Sequence, residues 1–450
     1  MRIPALVLPL FLAFLSACDT APVLAPTPYV MLGDEGRQLY ESLPDQLRTP
    51  EIPIMYFTDR VDEREPEADE PVYGAMRGDI VTYGVVTIAP EDKEMGWEEF
   101  VDLSTTPGSH EDVRLKVDDI DQCGTIWSTL SQLEIQDGQV VYPDSSVAAF
   151  LSNLEAFDRC MEPWLIEGDD NAAIVFVHGF NNTFEGASLR LAKTWHAIGR
   201  RGVPILFTWP AGFDAFKPIA YNHDRESGEF AVQSLKTLLL ALAMNDRISR
   251  VHVVAHSRGV DVTTTAMREV EAEIAAAEGN TPFAQLSLGY DKDEFGERVG
   301  GQTPADVTKI ETLTLVAADL DLDVFTQRFV AERAGRAAKR ITIYTSARDK
   351  AITAADIFFA SNLRLGKATM EDFDPRVREL VSALPSVDII ECRVKTKDSH
   401  LYLFEHPAAL SDMVLAIRDH KYAGIQNGRP LERLAPGFWV LDEGYMRPEE

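Results

Sequence analysis

The sequence predicts a doubly wound α/β fold, in which a mostly parallel sheet carries helices on both faces. From residue 172 onward, short apolar runs alternate with helical segments, and such runs suit strands buried on both faces of a parallel sheet. The six runs are Ile174–Val177, Ile205–Thr208, Val251–Val254, Leu313–Val316, Ile341–Tyr344 and Val387–Ile390. A helix between the second and third runs is indicated by leucines at i, i+3, i+4 and i+7: Leu235, Leu238, Leu239 and Leu242.

Composition limits the functions to be considered. The chain has 450 residues, 45% of them hydrophobic and 26% charged, which is ordinary for a globular protein. Its formal net charge of −29 disfavours nucleic acid and anionic surfaces as partners. The sequence shows no metal-ligand cluster, no phosphate-binding glycine loop and no dinucleotide fingerprint, so neither a metal nor another cofactor is predicted.

The first residues have the pattern of a lipoprotein signal peptide. Arg2 precedes thirteen mostly apolar residues, Ile3–Leu15, a run too short to span a bilayer comfortably. The run continues into Ser16-Ala17-Cys18, which resembles the bacterial lipobox, so cleavage would leave Cys18 to carry a lipid such as palmitate. An ordinary secretory signal with an incidental cysteine is the alternative. We expect a lipid-anchored protein of the cell envelope that faces the periplasm, on either the inner or the outer membrane.

The chain is predicted to hold three segments. Residues 1–17 form the signal peptide, residues 18–50 a proline-rich tether, and residues 51–450 one large domain. Within this domain, residues 91–145 are predicted to be an acidic, irregular insertion. Residues 278–306 are interpreted as an insertion at the rim of the site or as a surface loop.

Cysteine usage leaves two possibilities open. Export places a protein where disulfides persist, and three cysteines follow Cys18. Cys123 and Cys160 lie in the same region and are the preferred pair, while three unpaired thiols are the alternative.

The stretch around Ser257 predicts a nucleophile elbow, a strained strand-turn-helix that lifts a serine hydroxyl above the end of a sheet. Strand-forming residues run into the serine, and small residues stand two positions before it (Ala255) and two after it (Gly259). The turn brings backbones close together, so a bulky side chain at either position would clash. A tight turn with a hydrogen-bonded serine is the alternative.

Partners for a nucleophilic serine stand after later strands, at the sheet edge where ligands gather in this fold class. Asp349 follows the fifth apolar run and His400 follows the sixth, in the chain order Ser, Asp, His that this mechanism uses. In this hypothesis His400 takes the proton from Ser257, and Asp349 orients the imidazole and stabilises its charged form.

The turn after the first strand is predicted to take part through its backbone. An oxyanion that develops during acyl transfer needs N–H donors, and here these would be the amides of Phe180 and Arg258. The imidazole of His178 is interpreted as structural, and core packing is expected for Trp209.

Rival residues exist for the acid and the base. Asp319 is the second-choice acid, because it follows the strand before that of Asp349. Either Asp321 or Asp323, which follow it, is interpreted as a helix cap. Among the histidines, His406 stands at a helix start and His420 near a helix end.

Several of these segments together resemble a bacterial family of α/β hydrolases of unknown function, often described as esterase- or lipase-like. The segments are Ile54–Arg60, His178–Asn182, Thr208–Ala211, Ala255–Gly259, and Asp349 followed by Arg364-Leu365-Gly366. The resemblance covers roughly residues 52–415 and implies the α/β-hydrolase fold with a triad of Ser257, Asp349 and His400. The family tends to have methionine at the position of Arg258, and Gly-His-Ser at the position of Asp398–His400.

The function predicted from these observations is a membrane-tethered periplasmic serine hydrolase that cleaves carboxylic esters through an acyl-enzyme. Its substrate would be a small-molecule ester or acyl compound, and its lipid would be its contact with the membrane. A non-catalytic binding or scaffold module on the same fold is one alternative. A triad enzyme acting on peptide or thioester bonds, or in acyl transfer, is another.

Overall fold

The described residues form one sheet of eleven strands and a small hairpin. The computed structural model describes residues 22–128, 134–141, 144–166, 171–278, 302–359 and 363–448. The sheet strands are β1 (Ile52–Asp62), β2 (Tyr73–Pro90), β3 (Leu115–Ser128), β6 (Ala172–Val177), β7 (Val203–Thr208), β8 (Arg250–His256), β9 (Ile310–Val316), β10 (Arg340–Thr345), β11 (Val387–Cys392), β12 (Glu432–Ala435) and β13 (Phe438–Leu441). The hairpin is formed by β4 (Glu134–Gln136) and β5 (Gln139–Val141).

Helices flank this sheet. In the described part of the chain they are α1 (Gly33–Glu41), α2 (Trp97–Thr105), α3 (Asp144–Cys160), α4 (Phe184–Ala197), α5 (Lys217–Met244), α6 (Gly259–Glu278), α7 (Pro304–Thr308), α8 (Leu322–Thr326), α9 (Lys350–Phe359), α10 (Pro375–Ala383), α11 (Tyr402–Glu405) and α12 (Pro407–Ile417). None of the helices in these ranges is both long and apolar enough to cross a membrane.

The centre of the sheet is parallel and doubly wound, as predicted. The strand order is β12-β13-β11-β10-β9-β8-β6-β7-β1-β2-β3, with antiparallel pairs only at the two sides. Each of the six apolar runs lies in a strand, and five of these strands are buried almost throughout. Since β7 and β8 lie on opposite sides of β6, the winding direction reverses there. The carboxyl ends of β6 and β8 therefore flank the crevice where such folds bind ligands.

Two segments differ from their predictions. The tether prediction is wrong from residue 22 onward, because Leu24, Tyr40 and Leu47 are buried in the core. The 91–145 segment is not an irregular insertion, since β3 pairs with β2 along most of its length. β3 was missed because it is an edge strand whose exposed acidic side chains hide the apolar alternation.

A disulfide joins Cys123 on β3 to Cys160 at the end of α3, which is the pair that the sequence favoured. The predicted signal peptide (residues 1–17) and Cys18 lie outside the described residues, as does most of the 278–306 segment.

A buried ion pair fastens the end of the chain to the sheet. Asp412 on α12 and Arg429 are both fully buried, with two hydrogen bonds of 2.9 and 2.7 Å between them. The hydroxyls of Tyr344 and Tyr445 also donate to the Asp412 carboxylate, at 2.7 and 2.6 Å. Burial raises the pKa of Asp412, but the Arg429 charge and these donors outweigh it and hold that pKa below its ordinary value. The pair therefore contributes its stability above the ordinary carboxyl pKa and loses it as the pH falls.

We expect Asp412→Asn to lower the free energy of unfolding by about 3–5 kcal/mol, because it leaves the Arg429 charge buried without a counter-ion. Urea denaturation at neutral pH measures the change. The control is Glu91→Gln, which removes an ion pair to Arg114 on the surface and is expected to cost about 1 kcal/mol or less. Equal losses in the two variants would contradict this account.

Candidate active site

The backbone at Ser257 has the geometry of the predicted elbow. Ser257 follows β8 directly and takes a φ of 54°, a left-handed conformation that costs a non-glycine residue of the order of 1–3 kcal/mol. Its N–H donates to the carbonyl of Val316 at 2.9 Å, and its carbonyl accepts from the amides of Val260 and Asp319 at 3.1 Å each. These bonds hold the strained turn to the neighbouring strand β9.

Two glycines allow this turn to pack closely. A Cβ atom on Gly179 would lie 2.6 Å from the Cβ of Ser257. One on Gly259 would lie 2.6 Å from the carbonyl oxygen of Val177 and nearer still to that of His178. Both contacts are too short for carbon atoms, so the turn after β6 can approach Ser257 only because both positions lack a side chain.

Asp349 and His400 are hydrogen-bonded to each other. The Nδ1 of His400 lies 2.7 Å from the Oδ2 of Asp349, and their side chains are only 2% and 0% exposed. The other carboxylate oxygen, Oδ1, accepts from the amide of Ile352 and so caps the start of α9. Asp349 thus caps α9 with one carboxylate oxygen and binds the imidazole of His400 with the other.

The charge on Asp349 determines the protonation behaviour of His400. Burial lowers the pKa of His400, but the charge and hydrogen bond of Asp349 outweigh burial and raise that pKa above its ordinary value. The Asp398 and Asp319 carboxylates add to this effect. The site therefore stabilises the imidazolium form that a general base must pass through.

Every residue of the Asp398-Ser399-His400 triplet makes a contact in the site. The Oδ1 of Asp398 accepts from the amide of His400 at 2.9 Å, and the Oγ of Ser399 accepts from the amide of Lys350 at 3.1 Å. Asp398 thereby fixes the histidine loop, and Ser399 links it to the start of α9 beside Asp349. The departure from the Gly-His-Ser pattern of the resembled family is therefore accommodated by local hydrogen bonds.

His256, just before the serine, supports His400. Its Nε2 lies 3.2 Å from the carbonyl oxygen of His400, and the two rings lie 4.7 Å apart. Burial lowers the pKa of His256 well below its ordinary value, so the ring is neutral. Because a carbonyl can only accept, the proton lies on Nε2.

Tyr402 ties the histidine loop to the neighbouring strand ends. Its hydroxyl donates to the carbonyl of Tyr344 on β10 at 2.8 Å and accepts from the amide of Ala317, just after β9, at 3.2 Å. Ser257 is bonded to Val316 on the same strand, β9. The structure therefore brings Ser257 and the Asp349–His400 pair to one edge of the sheet.

The turn that carries Phe180 is held by the imidazole of His178, which is structural as predicted. Its Nε2 accepts from the amide of Trp209 at 3.1 Å, so the proton lies on Nδ1, which donates to the carbonyl of Gly179 at 2.9 Å. The ring of Trp209, fully buried as expected, stacks on it at 5.1 Å. Burial and the Arg60 charge lower the pKa of His178 well below its ordinary value, so the ring stays neutral.

Arg60 is a residue of this region that the sequence pattern did not single out. Its guanidinium is buried at the end of β1 and donates to the carbonyls of Asn182, Ala211 and Gly74 at 2.7 to 2.9 Å. It also donates to the hydroxyl of Thr208. Arg60 therefore joins the loops after β6 and β7. The available signal was an arginine three residues after the apolar run Ile54–Phe57, within the resembled segment.

Asp224 holds the same loops from α5. Its Oδ2 accepts from the amides of Asn181 and Gly212, at 2.9 and 3.1 Å. The aromatic ring of Phe180 packs on that of Tyr221 at 5.1 Å. The second predicted amide, that of Arg258, stands at the N-terminus of α6, where the helix dipole favours negative charge.

Asp319 lies close to the site but has other partners. Its carboxylate forms an ion pair with Arg364 at 2.6 Å and accepts from the hydroxyl of Tyr221 at 2.8 Å. The hydrogen bond of His400 goes instead to Asp349. The geometry therefore favours the first-choice acid.

The other rival residues have structural contacts. Asp321 caps α8 by accepting from the amides of Asp323 and Val324. His406 caps α12 through Nδ1, which accepts from the amide of Ala408, and His420 follows the end of that helix.

The side chain of Arg258 forms an ion pair with Asp261 at 2.6 Å. Asp261 also pairs with Arg328, so this carboxylate lies between two guanidinium groups.

Among the described residues, no group of three or more histidine, cysteine, aspartate and glutamate side chains could hold a metal ion.

Comparison with known proteins adds one match. The family model described as alpha/beta hydrolase of unknown function (DUF900) matches residues 155–418, more than half of the chain and the part that holds Ser257, Asp349 and His400. Searches of curated proteins and of solved structures give no match. The family match and the mostly parallel sheet confirm the α/β-hydrolase fold that the sequence predicted.

Gly259→Ala tests the packing of the elbow. Glycine to alanine in a helix normally stabilises, by about 1 kcal/mol. Here the new Cβ would meet two backbone carbonyls, so we expect a loss of about 1–3 kcal/mol in urea denaturation. The control is Gly96→Ala, where a new Cβ would have no atom within 4 Å apart from its chain neighbours. There the free energy of unfolding should change by about 1 kcal/mol or less. A Gly259→Ala variant more stable than the parent would refute the close approach.

Proposed function

Because the chain belongs to a family of α/β hydrolases of unknown function, we propose that it is a serine hydrolase that cleaves carboxylic esters. The observation that carries the proposal is the buried Asp349–His400 hydrogen bond at the sheet edge where Ser257 stands in a strained turn. A strained serine with a buried, oriented histidine nearby is the arrangement that nucleophilic catalysis requires.

Each residue has a role in the proposed reaction. His400 takes the proton of the Ser257 hydroxyl through Nε2, because its Nδ1 is bonded to Asp349. The serine oxygen attacks the ester carbonyl, and the amides of Phe180 and Arg258 bind the developing oxyanion. Collapse of the tetrahedral intermediate expels the alcohol, which takes the proton from His400, and leaves an acyl-enzyme. Water then attacks the acyl carbonyl while His400 takes one of its protons. The bond from the acyl carbon to the Ser257 oxygen breaks, this oxygen takes the proton from His400, and the carboxylic acid leaves.

We further propose an envelope location, with a lipid on Cys18 as the attachment to the membrane. Two observations support this location. The N-terminal residues have the lipoprotein pattern, and the disulfide between Cys123 and Cys160 fits an oxidising compartment such as the periplasm.

Ser257→Ala tests the nucleophile. The purified protein should react covalently with a fluorophosphonate probe, since an activated serine attacks its phosphorus. We expect labelling and ester turnover to be lost in Ser257→Ala, with unchanged thermal unfolding. The control Ser382→Ala, which removes a hydroxyl bonded to Pro436, should label like the parent. Labelling that survives in Ser257→Ala would refute the proposal, and a folded parent that never labels would favour a binding module.

The pH dependence distinguishes the two candidate acids. The neutral form of His400 is the base, so kcat/KM should rise through its pKa, which lies above the ordinary value for imidazole. Asp349→Asn removes the negative charge that raises this pKa. The acidic limb should therefore move to lower pH, and the plateau should fall by a factor on the order of 10⁴.

Asp319→Asn is the matched control, because it removes a nearby carboxylate that does not bond the imidazole. We expect a smaller shift of the acidic limb in the same direction and a far smaller loss of the plateau rate. A larger loss in Asp319→Asn than in Asp349→Asn would make Asp319 the acid.

A further inference from the structure

The segment 363–366, which we call the strap, contains the Arg364-Leu365-Gly366 motif, to which the proposed reaction gives no role. It runs antiparallel to the loop after β9, and three backbone hydrogen bonds of 2.8 to 3.0 Å join the two segments. The bonded pairs are Leu322 with Leu363, Leu320 with Leu365, and Ala318 with Gly366. The strap therefore fixes the loop in which Asp319 stands.

Gly366 allows the strap to approach this loop closely. A Cβ atom at position 366 would lie 2.6 Å from the carbonyl carbon of Ala317 and from the amide nitrogen of Ala318. Ala317 itself takes a φ of 48°, a left-handed conformation that is costly for a residue with a side chain. A strained loop of this kind persists only where neighbouring segments hold it, and the strap is one of them.

The strap also joins the serine and the acid of the proposed triad. At one end of this connection, the amide of Asp319 donates to the carbonyl of Ser257 at 3.1 Å. At the other end, the amide of Ser346 donates to the carbonyl of Gly366 at 2.8 Å, and the amide of Asp349 donates to the carbonyl of Ser346 at 3.0 Å. One short segment is thus bonded to the loops on both sides of the site.

The side chain of Arg364 connects the same two loops through charge. Its Nη1 lies 2.6 Å from the Oδ1 of Asp319, and the two side chains are only 9% and 4% exposed. Its Nε lies 3.8 Å from the Oδ1 of Asp356 on α9. Asp356 stands about two helical turns after Asp349, which caps α9. The guanidinium is therefore placed between the serine side and the acid side of the site.

The carboxylates around His400 explain why this ion pair matters. Burial lowers the pKa of His400, and the Asp349 carboxylate outweighs burial and raises it. The Asp398 and Asp319 carboxylates raise that pKa further. Other ionisable groups on the surrounding elements include His256 on β8, Arg190 on α4 and Glu405 on α11, of which the last two act on Asp398. The field that reaches His400 from Asp319 therefore depends on Arg364.

We propose that Arg364 is a positioning residue of the catalytic site, which neutralises Asp319 and leaves Asp349 as the main charge acting on His400. The inference rests on the proposed function, in which His400 is the base. Two opposite charges in contact act at a distance as a dipole, whereas an unpaired buried carboxylate is little screened and acts at full strength. Beside a second unpaired carboxylate, less of the imidazole would be in the neutral form that takes the proton at neutral pH. Arg364 thus keeps His400 available as the base.

Histidine NMR titration tests the proposal without any need for turnover. All variants are made in the Ser257→Ala background, and the signal of His400 is identified by its loss in His400→Gln. We expect Arg364→Gln to raise the pKa of His400, because it leaves the Asp319 charge without its counter-ion. Asp319→Asn should lower that pKa, because it leaves the Arg364 charge. The variant with both changes should titrate near the parent, and so should Arg364→Lys, which keeps the positive charge.

Lys367→Gln is the matched control, because it removes a nearby positive charge that pairs with Asp356 instead of Asp319. Its effect on the pKa of His400 should be much smaller. If Arg364→Gln is too unstable to titrate, Asp319→Asn is compared with the variant that carries both changes. Adding Arg364→Gln to Asp319→Asn removes a positive charge, so the pKa of His400 should rise between these two proteins.

Ester turnover gives a second measurement, with Ser257 in place. At pH 6, kcat/KM should fall about threefold to tenfold in Arg364→Gln, whereas the plateau at high pH should fall far less. The proposal is overturned if the pKa of His400 is unchanged or lower in Arg364→Gln, or if Lys367→Gln raises it equally. Expected NMR shifts in a protein that never reacts with the fluorophosphonate probe would support the role of Arg364 and contradict the hydrolase function alone.

Discussion

The left-handed turn at Ser257 is the constraint around which the neighbouring segments are arranged. A strained backbone persists only where its surroundings hold it, and here the amide of Ser257 is held by Val316 on the next strand. The same turn requires glycine at positions 179 and 259. A Cβ atom at position 179 would overlap the Cβ of Ser257, and one at position 259 would overlap backbone carbonyl oxygens after β6. The close approach of β6 and β8 at their carboxyl ends is therefore a property of three positions acting together.

Buried polar side chains from distant elements then position the loops around this turn. Arg60 from β1 and Asp224 from α5 bind backbone groups of the turn after β6, and His178 binds within it. Such groups are costly to bury unless each finds a partner, so they specify one loop arrangement rather than merely adding stability. Tyr402 and His256 position the loop that carries His400 in the same way. Tyr402 donates to the carbonyl of Tyr344, and His256 donates to the carbonyl of His400.

The two edges of the sheet have different chemistry. At the carboxyl edge, Asp349 and His400 form a pair whose charges are complementary once the imidazole takes up a proton. At the amino edge, Arg200 is a buried cation that donates to the carbonyls of Leu47 and Thr49 and so holds the N-terminal segment on the core. One edge thus holds a buried pair of ionisable side chains, and the other a buried cation bonded to backbone.

Local patterns in the sequence determined the parallel strands, the elbow at Ser257 and the candidates that follow later strands, because burial periodicity and turn chemistry act over a few residues. Only the tertiary structure shows that His400 is hydrogen-bonded to Asp349 rather than to Asp319, whose carboxylate is bonded to Arg364 and Tyr221 instead. It also decided that β3 joins the sheet and that the N-terminal segment packs on the core. The physical reason is the same in each case. These outcomes depend on contacts between groups far apart in the chain, whose pairing no local pattern records.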